Sequence, residues 1–198
     1  MMLKNERVIQ WMNVVRETEG KEQYRVLESF WESQINSKQW ILNVLNDLNM
    51  SCYGSVYIFG GWFGVLGGML RDEYKHINEV YSVDLDPEAK RIGEKLNPDV
   101  KFITSDMKTF SFAERPSLVI NTSTEHITQD TFNTWIENVP KFLPVILQGN
   151  NFFSCPEHIR CSNSLKQFQE MNVLSTTKYE GELDCKQFTR YMTIGYKL

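Results

Sequence analysis

Six consecutive polar residues, Asn121-Thr122-Ser123-Thr124-Glu125-His126, follow directly on the apolar run that begins at Leu118. Glu125 and His126 are neighbours in it. A carboxylate or an imidazole, the latter with an ordinary pKa of about 6.5, is suited to take a proton from a nucleophile. The competing reading is that both cap the following helix or bond to loop backbone. A second group sits earlier, in the turn Gly60-Gly61-Trp62-Phe63-Gly64. Glycines at such a place let the backbone approach a ligand and adopt positive φ. Asp84 follows the turn at about the 20-residue spacing at which a carboxylate can accept both hydroxyls of a ribose. Asp86 is the second candidate for that role, and either acid also reads as a helix cap. Asp106-Met107 can hydrogen-bond an adenine amino group and pack on the ring edge. Gln148 and Asn150 are candidates to read a polar substrate, against a plain turn at Gly149-Asn150. His158 and Cys155 are read as loop residues, with a part in a lid as the minor reading.

Each of these groups must sit at the end of an element. Ser55–Phe59, Glu79–Asp84, Val100–Thr104, Leu118–Asn121 and Phe142–Leu147 read as five short strands. Helical patterns separate several of them: Val65–Tyr74, Pro87–Leu96 with proline in its first turn, and Asp130–Val139 with Asp130 as N-cap. Such alternation predicts a parallel sheet with helices on both faces. Ligands then bind at the carboxyl ends of the strands, where the strand order reverses. After a short helix at Ser164–Met171, Val173–Glu182 and Phe188–Tyr196 read as an antiparallel pair. Upstream, residues 5–19 and 21–49 are helical, the second with a break near Asn36-Ser37. Val8, Trp11, Met12, Val15 and Thr18 form the apolar stripe of the first. Leu27 and Trp31 belong to the stripe of the second. Tyr24, Trp31, Lys38 and Trp40 are placed mainly in packing, with contact to substrate as the minor reading. The expected fold is therefore α/β: a doubly wound, mostly parallel seven-stranded sheet with a terminal antiparallel hairpin and a helical N-terminal extension. The expected division is an extension or cap over 1–50 and one Rossmann-like domain over 51–198.

Bulk properties narrow the function. The chain of 198 residues is long enough for one full core. With 41% hydrophobic and 23% charged residues it is not a disordered composition. A net charge of -4 makes nucleic acid a less favoured partner than a small molecule or a peptide. The four cysteines, Cys52, Cys155, Cys161 and Cys185, form no C-x-x-C pair, so no metal is expected and the thiols are expected to be reduced. No apolar run reaches the roughly 18 residues of a membrane span, and the first residues carry scattered charges unlike a signal peptide. The expected location is the cytoplasm.

In order along the chain, VYIFGGWFGVLG, VYSVDLDPEA, FITSDM and LVINTSTEHI resemble motifs I to IV of the class I S-adenosylmethionine-dependent methyltransferases. The resemblance covers roughly residues 52 to 198. It implies S-adenosylmethionine as cofactor, with Gly60, Gly61, Trp62 and Gly64 around its methionine and ribose. It also implies Asp84 on the ribose, Asp106 and Met107 on the adenine, and the Asn121–His126 loop facing the methyl group. Two positions depart from the family pattern. Ile58 stands where an acid is usual, and Trp62 where the middle glycine is usual. Recognition of the methionine amino group then passes to backbone carbonyls or to Asn121. Asn121 also matches the first position of the N/D-P-P-Y/F stretch of amino-methylating enzymes, but Thr122 and Ser123 replace its prolines. The reading is methyl transfer to a small molecule or peptide group, with Glu125, His126 and Asn121 as catalytic candidates. A nucleic-acid methyltransferase, an NAD-binding oxidoreductase and a non-catalytic adenosine-cofactor-binding protein are the competing readings.

Overall fold

The computed structural model describes residues 4–50 and 52–198. Met1–Leu3 of the expected extension, and Ser51 at its expected boundary, lie outside the described residues.

Five parallel strands and a closing hairpin form one sheet. The strands are β1 (Gly54–Phe59), β2 (Ile77–Asp84), β3 (Lys101–Thr104), β4 (Leu118–Asn121), β5 (Leu143–Asn150), β6 (Thr176–Asp184) and β7 (Thr189–Lys197). Their order is β3-β2-β1-β4-β5-β7-β6, with β7 antiparallel to both β5 and β6. This is the expected fold class. The order reverses between β1 and β4, which pair from Val56↔Leu118 to Phe59↔Asn121. The Gly60 turn and the Asn121–His126 loop therefore leave the sheet side by side, at the switch point.

Alternation along β1 builds two cores. Val56 and Ile58 face one cluster, Tyr57 and Phe59 the other. The first cluster is covered by α1 (Asn5–Glu17), α2 (Gly20–Glu28), α3 (Glu32–Asp47), α4 (Val65–Glu73) and α5 (Pro87–Leu96). The second is covered by α6 (Gln129–Asn138) and α7 (Leu165–Met171), and it is rich in rings, with Phe59 and Trp135 edge-on at 5.3 Å. β6 is an exposed edge whose burial alternates along Tyr179-Glu180-Gly181-Glu182, with charged residues among its solvent-facing positions.

Several expected boundaries and faces move. The break expected at Asn36-Ser37 lies at Ser29–Trp31 instead. Ser37 stays helical, and its buried hydroxyl is satisfied by donating to the Gln34 carbonyl one turn back, at 3.0 Å. α1 is turned only in part from its expected stripe: Trp11 is buried and Val15 packs on the core as expected, but Val8 and Met12 are exposed and Val14 is buried in their place. Arg7, which the helical period aligns with Trp11 and Val14, is on the buried face. Its guanidinium bonds Asp72 at 2.6 Å and Asp99 at 2.7 Å on the body of the protein. Leu27 and Trp31 are likewise exposed. Thr128, not Asp130, caps α6, its hydroxyl accepting from the Thr131 N–H at 3.1 Å. Asp130 instead pairs with Lys108 at 2.7 Å. β5 runs three residues past the expected Leu147, so Gln148 and Asn150 lie in a strand and not in a turn. The hairpin strands start and end one to three residues later than expected; Val173 is outside β6 and 69% exposed. The four cysteines are free. Among the described residues, no helix is long and apolar enough to cross a membrane.

Candidate active site

A cleft of about 1370 Å³ opens over the carboxyl ends of β1, β2 and β4 and under α2 and α3. A single small-ligand site is typically about 300–1,000 Å³, so this cleft is larger than one such site.

The glycine turn forms one wall. Gly60 and Gly64 have φ of 61° and 74°, and between them Trp62 has φ 48°. Trp62 thus keeps the left-handed backbone that a glycine would adopt freely, at a cost for a bulky residue. Two contacts hold it there. Its N–H donates to Asp84 Oδ2 at 2.9 Å, and its ring stacks on Phe63 at 4.8 Å. A Cβ on Gly60 would lie 2.6 Å from the Ser123 side chain, so the turn and the β4 loop touch. Gly64 lines no part of the cleft; it caps α4, and a Cβ there would strike the Phe102 ring.

Asp84 is half-buried at the end of β2 and lines the cleft. Its other oxygen, Oδ1, accepts from the Asp86 N–H at 3.1 Å. Asp86 is engaged as the cap of α5, accepting from the Glu88 N–H at 2.9 Å, and in an ion pair with Arg25. Burial works against the Asp86 charge, but Arg25 and the cap bonds hold its carboxyl below the usual range. Asp106 and Met107 line the cleft beyond β3, with Asp106 exposed and accepting from the Lys108 N–H at 2.8 Å.

Facing the turn, Thr124–His126 form a single 3₁₀ turn. Glu125 is 2% exposed, yet it lines the cleft. Its Oε1 accepts from Asn150 Nδ2 at 2.5 Å and lies 3.7 Å from the Arg190 guanidinium. Its Oε2 has no hydrogen-bond partner. His126 is exposed, and its ring meets that of His158 edge-on at 4.6 Å. Burial pulls the His158 imidazole below its ordinary value, with Glu125 opposing. Tyr24, Trp31 and Lys38 lie across the cleft on or beside α2 and α3. Burial and the charge of Arg190 pull the Lys38 ammonium down to about 7. Trp40 stands away from the cleft; its indole N–H donates to Tyr179 at 3.0 Å.

The structure thus brings Gly60, Gly61, Trp62, Asp84, Asp106, Met107, Glu125 and His126 to one cleft. It does not bring Asn121, Gln148 or Asn150 to its surface. Asn121 is fully buried, and its Oδ1 accepts from the Ser123 N–H at 3.0 Å, bracing the loop. Gln148 is fully buried and donates to the Ser37 carbonyl at 3.1 Å, tying β5 to α3. Asn150 supports Glu125 from below. Lys38 and His158, read mainly as a packing and a loop residue, line the cleft, and sequence reasoning missed Arg190, which also lines it, and Arg160, which lies behind it and donates to the Thr124 carbonyl. For His158 one signal was present: Glu-His occurs twice, at Glu125-His126 and Glu157-His158.

No family model matches the sequence, and no curated protein matches it. Solved structures do match in fold. The N-methyltransferase NodS from Bradyrhizobium japonicum WM9, in complex with S-adenosyl-L-homocysteine, superposes with a TM-score of 0.68 at 10% identity. The match covers 95% of this chain and 98% of that one. Magnesium protoporphyrin IX methyltransferase from Synechocystis PCC 6803, with bound S-adenosylmethionine, gives 0.66 at 11% identity, over 96% of this chain and 91% of that one. A protein from Pyrococcus horikoshii OT3 gives 0.67 at 16% identity, over 91% and 100%. The chain has the fold of the class I methyltransferases.

Proposed function

We propose that this chain is an S-adenosylmethionine-dependent methyltransferase of small molecules, with residues 1–50 serving as a cap over the site. The observation that carries the reading is the convergence of the Gly60 turn, Asp84 and Asp106-Met107 on one cleft at the switch point of this fold. NodS and the Synechocystis enzyme, which share the fold, hold S-adenosyl-L-homocysteine and S-adenosylmethionine. Asp84 would take the ribose, Asp106 and Met107 the adenine. With Ile58 buried in β1 and Asn121 turned into its loop, backbone carbonyls at the strand ends would take the methionine amino group.

In the transfer, a lone pair of the acceptor forms a bond to the methyl carbon as the carbon–sulfur bond breaks. The electron pair of that bond returns to sulfur, leaving a neutral thioether, so no acid is needed. The protein must hold the acceptor in line at about 3 Å from the methyl group. The acceptor's proton goes to a base, and Glu125, which lines the cleft, or the neighbouring His126 would supply one.

Calorimetric titration tests the cofactor. S-adenosylmethionine and S-adenosyl-L-homocysteine are expected to bind one per chain, and NAD is not. A folded chain that binds neither of the first two would sink the reading. Once a metabolite screen with labelled cofactor finds an acceptor, Glu125→Gln should leave cofactor affinity intact and lower turnover by about 10²–10⁴-fold.

A further inference from the structure

We propose that Glu125, His126 and His158 bind one divalent first-row transition cation, of the class of Zn(II) or Mn(II), at the acceptor side of the cleft. One donor atom from each of the three residues lies within 4.8 Å of the others. Around a tetrahedral ion with bonds of about 2.0–2.2 Å, donors stand roughly 3.4 Å apart. Closing the cluster would take movements of about an ångström, at the exposed His126 ring at the end of its turn.

The surroundings of each donor fit such a site. Glu125 is a buried carboxylate with one oxygen held by Asn150 and the other, Oε2, without a partner. Buried acceptors rarely go unpaired, and a cation would satisfy Oε2. Arg190 lies near Oε1, which leaves Oε2 for the ion. His158 Nδ1 lies 3.1 Å from the Phe152 carbonyl, which can only accept, so Nδ1 carries the proton and Nε2 keeps its lone pair. A ligating histidine almost always has its second ring nitrogen engaged this way. The two loops are also tied together, by Arg160 N–H to the Glu125 carbonyl at 3.0 Å, and the second loop closes back on the end of β5, by Ser162 N–H to the Asn150 carbonyl at 3.0 Å. Two imidazoles and one carboxylate suit zinc, manganese or iron better than magnesium or calcium. Three protein ligands leave coordination positions open, as in catalytic sites.

What the ion does rests on the methyltransferase reading. An acceptor hydroxyl in an open position would lose its proton more readily than when free, and with Glu125 and His126 held on the ion that proton would pass to solvent water instead of to either side chain. Its oxygen would then form the bond to methyl. The inference narrows the acceptor to a molecule with an oxygen that can ligate.

The test uses the full chain freed of metal by a chelator. Titration with Zn(II) or Mn(II) is expected to give one equivalent bound, and Mg(II) at least about 10-fold weaker. His126→Ala and His158→Ala should each weaken binding by more than about 100-fold, beyond the loss typical of an outer partner, and leave S-adenosylmethionine affinity unchanged. In the wild type, histidine side-chain NMR should show His126 and His158 shifting on addition of Zn(II) while His76 stays fixed. Absence of one-to-one binding, unmoved resonances, or binding retained in the double variant would overturn the inference. If the cation binds at these residues and S-adenosylmethionine does not, the metal site stands and the methyltransferase reading falls.

Discussion

Both oxygens of Asp84 already accept a backbone N–H, from Trp62 and from Asp86. An ionised carboxylate has about four acceptor positions, so room remains for a ribose diol. The same bonds hold Trp62 in its left-handed conformation. Replacing Asp84 by alanine therefore disturbs the turn and the ligand site together. Asp84→Asn is the cleaner probe, since it keeps the shape and one acceptor. It should weaken S-adenosylmethionine binding by more than about 10-fold and lower unliganded stability by only about 1–2 kcal/mol. Calorimetry and urea denaturation read the two effects separately. Lower stability with unchanged affinity would confine Asp84 to a structural role.

At the level of elements, the site depends on how the segment after β5 is fastened to the loop after β4. Arg160 is the fastener. It is 6% exposed and donates to the Thr124 carbonyl at 3.2 Å, Gln129 Oε1 at 2.8 Å, Asn172 Oδ1 at 3.0 Å and the Met171 carbonyl at 2.5 Å. Its guanidinium also lies 4.5 Å from the Phe132 ring centroid. It has no ion-pair partner among the described residues within salt-bridge distance, and burial pulls it down to about 10 with Glu125 opposing. Arg160→Met should fill the space but strand the carbonyls, at about 2–4 kcal/mol. Hydrogen exchange should then rise over residues 151–163 while β1 and β2 stay protected. Uniform exchange change across the sheet would show that the arginine acts on global stability alone.

Over the whole molecule, α1 is anchored to the sheet domain through a polar knot. Arg7 bridges Asp72 and Asp99, and Asn97, fully buried, accepts from Trp11 Nε1 at 3.0 Å while donating to the Phe63 carbonyl at 2.9 Å. The knot thus reaches the glycine turn itself. Burial opposes the charges of Asp72 and Asp99, but Arg7 holds both carboxyls below their ordinary range. A lowered folded pKa means the unfolded chain takes up protons first as pH falls. The stabilisation is therefore complete above the unfolded value near 4 and is lost as pH drops through the lowered folded values. Arg7→Met should cost on the order of 1–3 kcal/mol at pH 7 and flatten the loss of stability between about pH 5 and 2. Urea denaturation at stepped pH measures this; an unchanged slope would contradict it.

The sequence by itself determined the order of strands and helices, the sheet class, the glycine turn and the acids after β2 and β3. Those features are local: strand alternation, turn glycines and spacing act within about 30 residues. It also displayed Glu125-His126, because the pair is contiguous. The tertiary structure alone decided which polar residues face the cleft. Asn121, Gln148 and Asn150 are as polar in the sequence as Glu125, but β-strand alternation and the closure of β7 on β5 turn them inward. His158 reaches the site through a loop that Arg160 fastens with long-range hydrogen bonds to Thr124 and Glu125. No periodicity carries such contacts, since they depend on which distant chain ends the sheet brings together.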